Sequence, residues 1–119
     1  MTVLRRDQLE TLTEDYRLRR RERIWRDLCA QYPHLVPVGT PDDSALRVID
    51  DAVEDGKVLG ITRHPDLLSF AALYFLPEQF RQDPLIAGVL MRTLNRVEWA
   101  PEKRLEFLHR HVVVRVQGG

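Results

Sequence analysis

Apolar residues recur at helical spacing over most of the chain. Leu9, Leu12 and Tyr16 begin a stripe that Ile24 and Leu28 continue, and Trp25, Cys29 and Tyr32 widen its far end. This spacing predicts a first helix over residues 5–31, stopped by Tyr32-Pro33. A helix of that length in a chain of 119 residues must either lie across everything else or project from it. Residues 33–41, PHLVPVGTP, hold three prolines and predict an extended connector.

Pro41-Asp42-Asp43-Ser44 suits the start of a second helix, because acids there meet free N–H groups. Leu46, Ile49 and Val53 form its inward stripe, and Gly56 is placed to end it as the C′ residue. Thr62 is the expected N-cap of a third helix over residues 63–76, with Pro65 in its first turn. Leu67, Leu68, Phe70, Ala71, Leu73, Tyr74 and Phe75 make this segment apolar nearly all round, so it is the expected core element. PEQFRQD reads as a loop. Asp83-Pro84 then opens a fourth helix through about Leu94, with Leu85, Ile86, Val89, Leu90 and Leu94 facing inward. Trp99-Ala100-Pro101 opens a short fifth helix carrying Leu105 and Leu108. The tail HVVVRVQGG has the β-branched content of a short strand, although a lone strand needs a partner. The fold class expected is all-α, about five helices in one small domain. It divides into a long charged helix (1–32), a Pro-rich connector (33–41), a compact core (42–110) and a tail (111–119).

Composition changes this picture little, whereas charge changes it more. Formal net charge is zero, which argues against a dedicated nucleic-acid binder, whose affinity rests on neutralising phosphates. The charge is unevenly placed: residues 40–56 carry six acids against Arg47 alone, and the segments on either side are net basic. Sixteen of the eighteen basic residues are Arg, a side chain suited to bidentate contacts with carboxylates. The acidic segment can therefore meet the arginines inside the fold or face a partner. Cys29 is the only cysteine, so no disulfide forms within the chain. Arg5-Arg6 is followed by no apolar region of an export signal, and no stretch has the length of a membrane span. A cytoplasmic protein is the expectation.

Residues 17–28, RLRRRERIWRDL, are the strongest chemical signal. With Leu9 set at zero on an ideal helix, Arg17, Arg20 and Arg21 fall at about 80°, 20° and 120°. Arg19, Arg23 and Arg26 fall at about 280°, 320° and 260°. The arginines thus surround the axis instead of lining one groove-facing stripe, and Asp15–Arg19 and Glu22–Arg26 are spaced to pair. Arg19, Arg23 and Arg26, with Trp25 beside them, are the candidate residues for docking on an acidic protein surface.

Catalytic chemistry finds little support. His109 and His111 would share a face only in a strand, and no third ligand lies near them in sequence. Cys29 sits among apolar residues, and neither Ser44 nor Ser69 lies in a nucleophile elbow. Gly56 and Gly60 are followed by no phosphate-loop lysine, and the acids of residues 42–55 lack calcium-loop spacing. No catalytic residue, cofactor or metal is expected.

A family pattern also runs along the chain. A helix leads into Gly60-Ile61-Thr62, and Asp66 and Phe70 follow. Phe80 and Pro84 frame the next loop, Val89-Leu90 lie on the next helix, and Arg104, Leu105 and Leu108 form a closing Arg-Leu-x-x-Leu. Over most of residues 9–108 this resembles small helical proteins of bacterial type VI secretion gene clusters. These lie beside the adaptor chaperone that loads a toxic effector onto the secretion spike. Leu59 stands where the pattern has an aromatic, and Leu76-Pro77-Glu78-Gln79 stands where it has a glycine ahead of Phe80. The resemblance implies a non-enzymatic co-chaperone or partner of that adaptor and, through it, of the effector and spike. Two other classes suit a small chain without catalytic groups: an immunity protein that neutralises a toxin, and a nucleic-acid-binding regulator. Self-association is compatible with all three.

Overall fold

A computed structural model of the protein describes residues 6–36 and 39–113, and the side chains of all of these except residues 6–10. Six α-helices occur among the described residues: α1 (Arg6–Gln31), α2 (Asp43–Leu59), α3 (His64–Ala72), α4 (Glu78–Arg81), α5 (Pro84–Leu94) and α6 (Pro101–Leu108). A 3₁₀ turn, Leu73–Phe75, extends α3, and a wider π-helical turn, His109–Val113, extends α6. The described residues contain no strand. No helix among them is long and apolar enough to cross a membrane.

α3 occupies the centre, against α1, α2 and α6, as its apolar circumference predicts. Leu67, Leu68, Phe70, Ala71 and Ala72 are all buried. Around them pack Ile24 and Leu28 from α1, Ile49 and Ala52 from α2, and Leu105 and Leu108 from α6. α1 lies on this core only through its second half. Residues 11–19 are all exposed, and the helix projects, which helps to draw the molecule out to 57 × 36 × 21 Å.

The end of α2 departs from the reading of Gly56 as a terminator. α2 continues to Leu59, and Gly60, at φ 77°, is the left-handed residue that ends it. Gly56 is buried inside the helix, where the chain doubles back and Ile61 N donates to Gly56 O at 2.7 Å. A Cβ at Gly56 would lie 2.7 Å from Ile61 O, so the glycine is required by close approach and not by conformation. The turn thereby buries Ile61.

Other boundaries differ in smaller ways. Arg63, not Thr62, caps α3, and no side chain bonds the free N–H groups there. Pro65 falls in the first turn as expected. The segment expected as a loop after Pro77 makes the single turn of α4. α5 begins at Pro84 with the Asp83 carboxylate accepting from Leu85 N at 2.9 Å, which matches the N-cap expectation. Leu85, assigned to the inward face, is 80% exposed, because α5 covers the body with only one side. The tail corrects most. His111, Val112 and Val113 continue the helix end, with both valines buried in the core, where burial outweighs β-propensity. Val114 to Gly119 lie outside the described residues, as do Pro37 and Val38 of the connector and Arg5 at the expected helix start.

Arg104 ties α6 to the ends of α2 and α5. Its guanidinium is buried and donates to Leu94 O at 2.7 Å and to Leu59 O at 3.1 Å. These are the final carbonyls of α5 and α2, where each helix dipole is negative. One side chain thus serves a terminal carbonyl of each helix, and the partial charges there offset part of the cost of burying a cation.

Candidate interaction surface

The arginine run divides between the body and the solvent. Arg21 Nε donates to Asp50 Oδ1 at 3.0 Å, and its Nη2 bonds Asp50 Oδ2. This bidentate pair fastens the middle of α1 to α2 and uses one acid of the 40–56 segment inside the fold. Three further acids of that segment also serve the fold locally. Asp42 caps α2 through Ala45 N, Asp55 accepts from the Tyr74 hydroxyl, and Glu54 pairs with Lys57. Burial first, and then the Asp55 carboxylate, push the Tyr74 hydroxyl well above its ordinary pKa, so it stays a donor.

Trp25 is turned into the body, away from the three arginines. It is buried, its Nε1 donates to Gly39 O at 2.9 Å, and its ring meets Phe75 edge-to-face. At about 160° from Leu9 it lies far round the axis from Arg19, Arg23 and Arg26, so the body claims it. These three arginines remain exposed. Arg23 Nε lies 3.9 Å from Asp27 Oδ2, a loose contact, since Asp27 is engaged at 2.8 Å by His64 Nε2. Arg19 and Arg26 have no ion pair among the described residues. The pairs expected at Asp15–Arg19 and Glu22–Arg26 do not close; Arg17 pairs with Glu14 instead.

The same face of α1 carries two residues that the sequence assigned to the buried stripe. Leu12 is 54% exposed and Tyr16 is 68% exposed. Positions 12, 16, 19, 23 and 26 alternate spacings of four and three, which holds them on one side of a helix. The outer face of α1 therefore reads apolar, apolar, Arg, Arg, Arg along its length. Leu9 continues this spacing, but its side chain lies outside the description. The heptad spacing was present in the sequence. Ile24 and Leu28, about 60° and 100° from Leu9, concealed it by making one broad stripe of two.

A second open feature is an apolar groove of about 420 Å³ between α2, α3 and α5, lined by Val58, Phe70, Leu73, Tyr74, Leu90 and Met91. The two histidines after α6 both have partners within the fold. His109 Nε2 donates to Ser69 O at 2.8 Å, and burial holds its imidazole below the ordinary pKa, partly opposed by that bond. His111 packs on Phe107. No group of three His, Cys, Asp or Glu among the described residues is placed to hold a metal. Comparison with family models, with curated proteins and with solved structures finds no match.

Proposed function

We propose that this chain is a non-enzymatic protein-binding factor that works in the cytoplasm. It docks on the effector-adaptor chaperone of a type VI secretion system and keeps it competent to receive its effector. The observation that carries the binding role is the outer face of α1, where Leu12 and Tyr16 stand exposed in line with Arg19, Arg23 and Arg26. Such a face suits a partner with an apolar patch continued by carboxylates. Apolar contact supplies most of the affinity, and the arginines set register and orientation. The choice of partner rests on the resemblance of residues 9–108 to accessory proteins of those gene clusters.

Co-expression with the neighbouring adaptor, followed by size-exclusion chromatography, tests this reading. A stable complex is expected. Failure to form one with the adaptor, alone or loaded with effector, removes the proposal. A toxicity-rescue assay separates the role from that of an immunity protein: expression of this chain alone is expected to leave toxin-producing cells unprotected.

A further inference from the structure

The outer face of α2 has a pattern that answers the one on α1. Ser44, Val48, Asp51, Asp55 and Val58 succeed one another at spacings of four, three, four and three, on a side turned about 110° from buried Ile49, Ala52 and Gly56, with Val48 half-buried. Val58 is 86% exposed, and Asp51 and Asp55 are exposed. Asp51 has no ion pair among the described residues, and Asp55 uses only one oxygen on Tyr74. Tyr16, Arg19, Arg23, Arg26 and Ala30 of α1 follow spacings of three, four, three and four, which is the α2 pattern read in reverse.

Laid antiparallel, the two helices match position by position, because both rise equally per residue. Tyr16 meets Val58, Arg19 meets Asp55 and Arg23 meets Asp51. Arg26 meets Val48 and Ala30 meets Ser44, so this seam opposes no like charges. Within one chain this match is not used: α1 and α2 pack through other faces, joined by Arg21–Asp50. We propose that two copies of this chain pair, the outer face of α1 on each lying antiparallel against the outer face of α2 on the other. A two-fold axis uses the contact twice. The α1 face is the one assigned above to the adaptor, so the inference rests partly on that reading. It adds that a second copy and the adaptor exclude one another there.

Analytical ultracentrifugation of the whole chain tests the pairing. The expected mass is twice the 13.9 kDa of one chain, falling toward one chain as salt screens the arginine–carboxylate contacts. Arg19→Glu/Arg23→Glu opposes acid to acid, and Asp51→Arg/Asp55→Arg opposes Arg to Arg. Each variant alone is expected to self-associate at least roughly tenfold more weakly. Mixed in equal amounts, they are expected to form a heterodimer, since both contacts are then complementary. If loss of the Tyr74–Asp55 bond unfolds the second variant, Arg23→Glu mixed with Asp51→Arg makes the same comparison. A wild-type chain that stays monomeric at high micromolar concentration overturns the inference, as do variants that fail to re-pair on mixing. Adaptor titration separates the two readings. A monomer that binds the adaptor overturns the pairing alone, whereas a dimer that ignores the adaptor overturns the proposed function alone.

Discussion

Ile24 and Leu28, in the second half of α1, are fully buried, whereas Leu12 and Tyr16, in the first half of the same helix, stand largely in solvent. The backbone is helical throughout, so local propensity does not separate the halves. Packing does. α2 and α3 reach the second half, Arg21–Asp50 marks the place where α1 meets α2, and the connector wraps back to accept a hydrogen bond from Trp25. Beyond that point Thr13, Tyr16 and Arg17 only border an open cleft with Val53, Glu54 and Lys57 of α2, and residues 11–19 stay exposed. A large apolar side chain on a helix thus has two meanings, and only its neighbours in space decide which applies.

Truncation should separate the halves most sharply. Leu28→Ala removes a fully buried side chain from the core and is expected to cost about 3 kcal/mol of stability. Leu12→Ala is expected to stay within about 0.5 kcal/mol of the parent. Urea titration of both variants checks this, and equal losses would break the comparison.

The same contrast extends into the body. Gly56→Ala drives a Cβ to 2.7 Å from Ile61 O, a backbone atom, and is expected to destabilise by about 2 kcal/mol. Gly88→Ala, on half-covered α5, meets nothing closer than the end of Arg92 at 3.7 Å. It is expected to stabilise by about 0.5–1 kcal/mol through helix propensity. Thermal melts of the two variants should move in opposite directions. Among the arginines, Arg21→Ala should lose about 1 kcal/mol with the half-buried pair to Asp50, while Arg19→Ala should lose almost nothing.

Much of the fold was legible in the sequence. Proline and aspartate mark the starts of α5 and α6 or their caps, and the apolar circumference of residues 67–75 marks the centre. What was not legible depends on contacts distant in the chain. Gly56 looked like a helix end because a buried, close-packed glycine and a C′ glycine are the same letter; only the return of Ile61 distinguishes them. Arg104 was visible in the sequence only as one residue of the Arg-Leu-x-x-Leu that carries the resemblance. Its work on the last carbonyls of α2 and α5 joins residues 45 and 10 positions away. Val112 and Val113 looked like a strand because β-branched residues also fill cores. On the outer face of α1 the shared side of exposed Arg19, Arg23 and Arg26 was legible from helical angles. Leu12 and Tyr16 were not, since a stripe shows which side of a helix is apolar but not whether anything covers it.

The smallest expected effect concerns pH. Burial keeps His109 neutral in the folded protein below its ordinary pKa of 6.5, while the unfolded chain takes up the proton near that value. Its contribution is therefore fully present above pH about 6.5 and is lost as pH falls toward the lowered folded value. His109→Gln should reduce the loss of melting temperature between neutral and mildly acidic pH. This lies in the closed half of the molecule, so binding by α1 should not follow it.

The most direct test of the central claim, that the outer face of α1 binds another protein, is calorimetric titration of the adaptor chaperone with the Leu12→Ala/Tyr16→Ala variant. Its melting temperature should match that of the parent, while its affinity should fall at least roughly tenfold. Unchanged affinity in a folded variant would contradict the account.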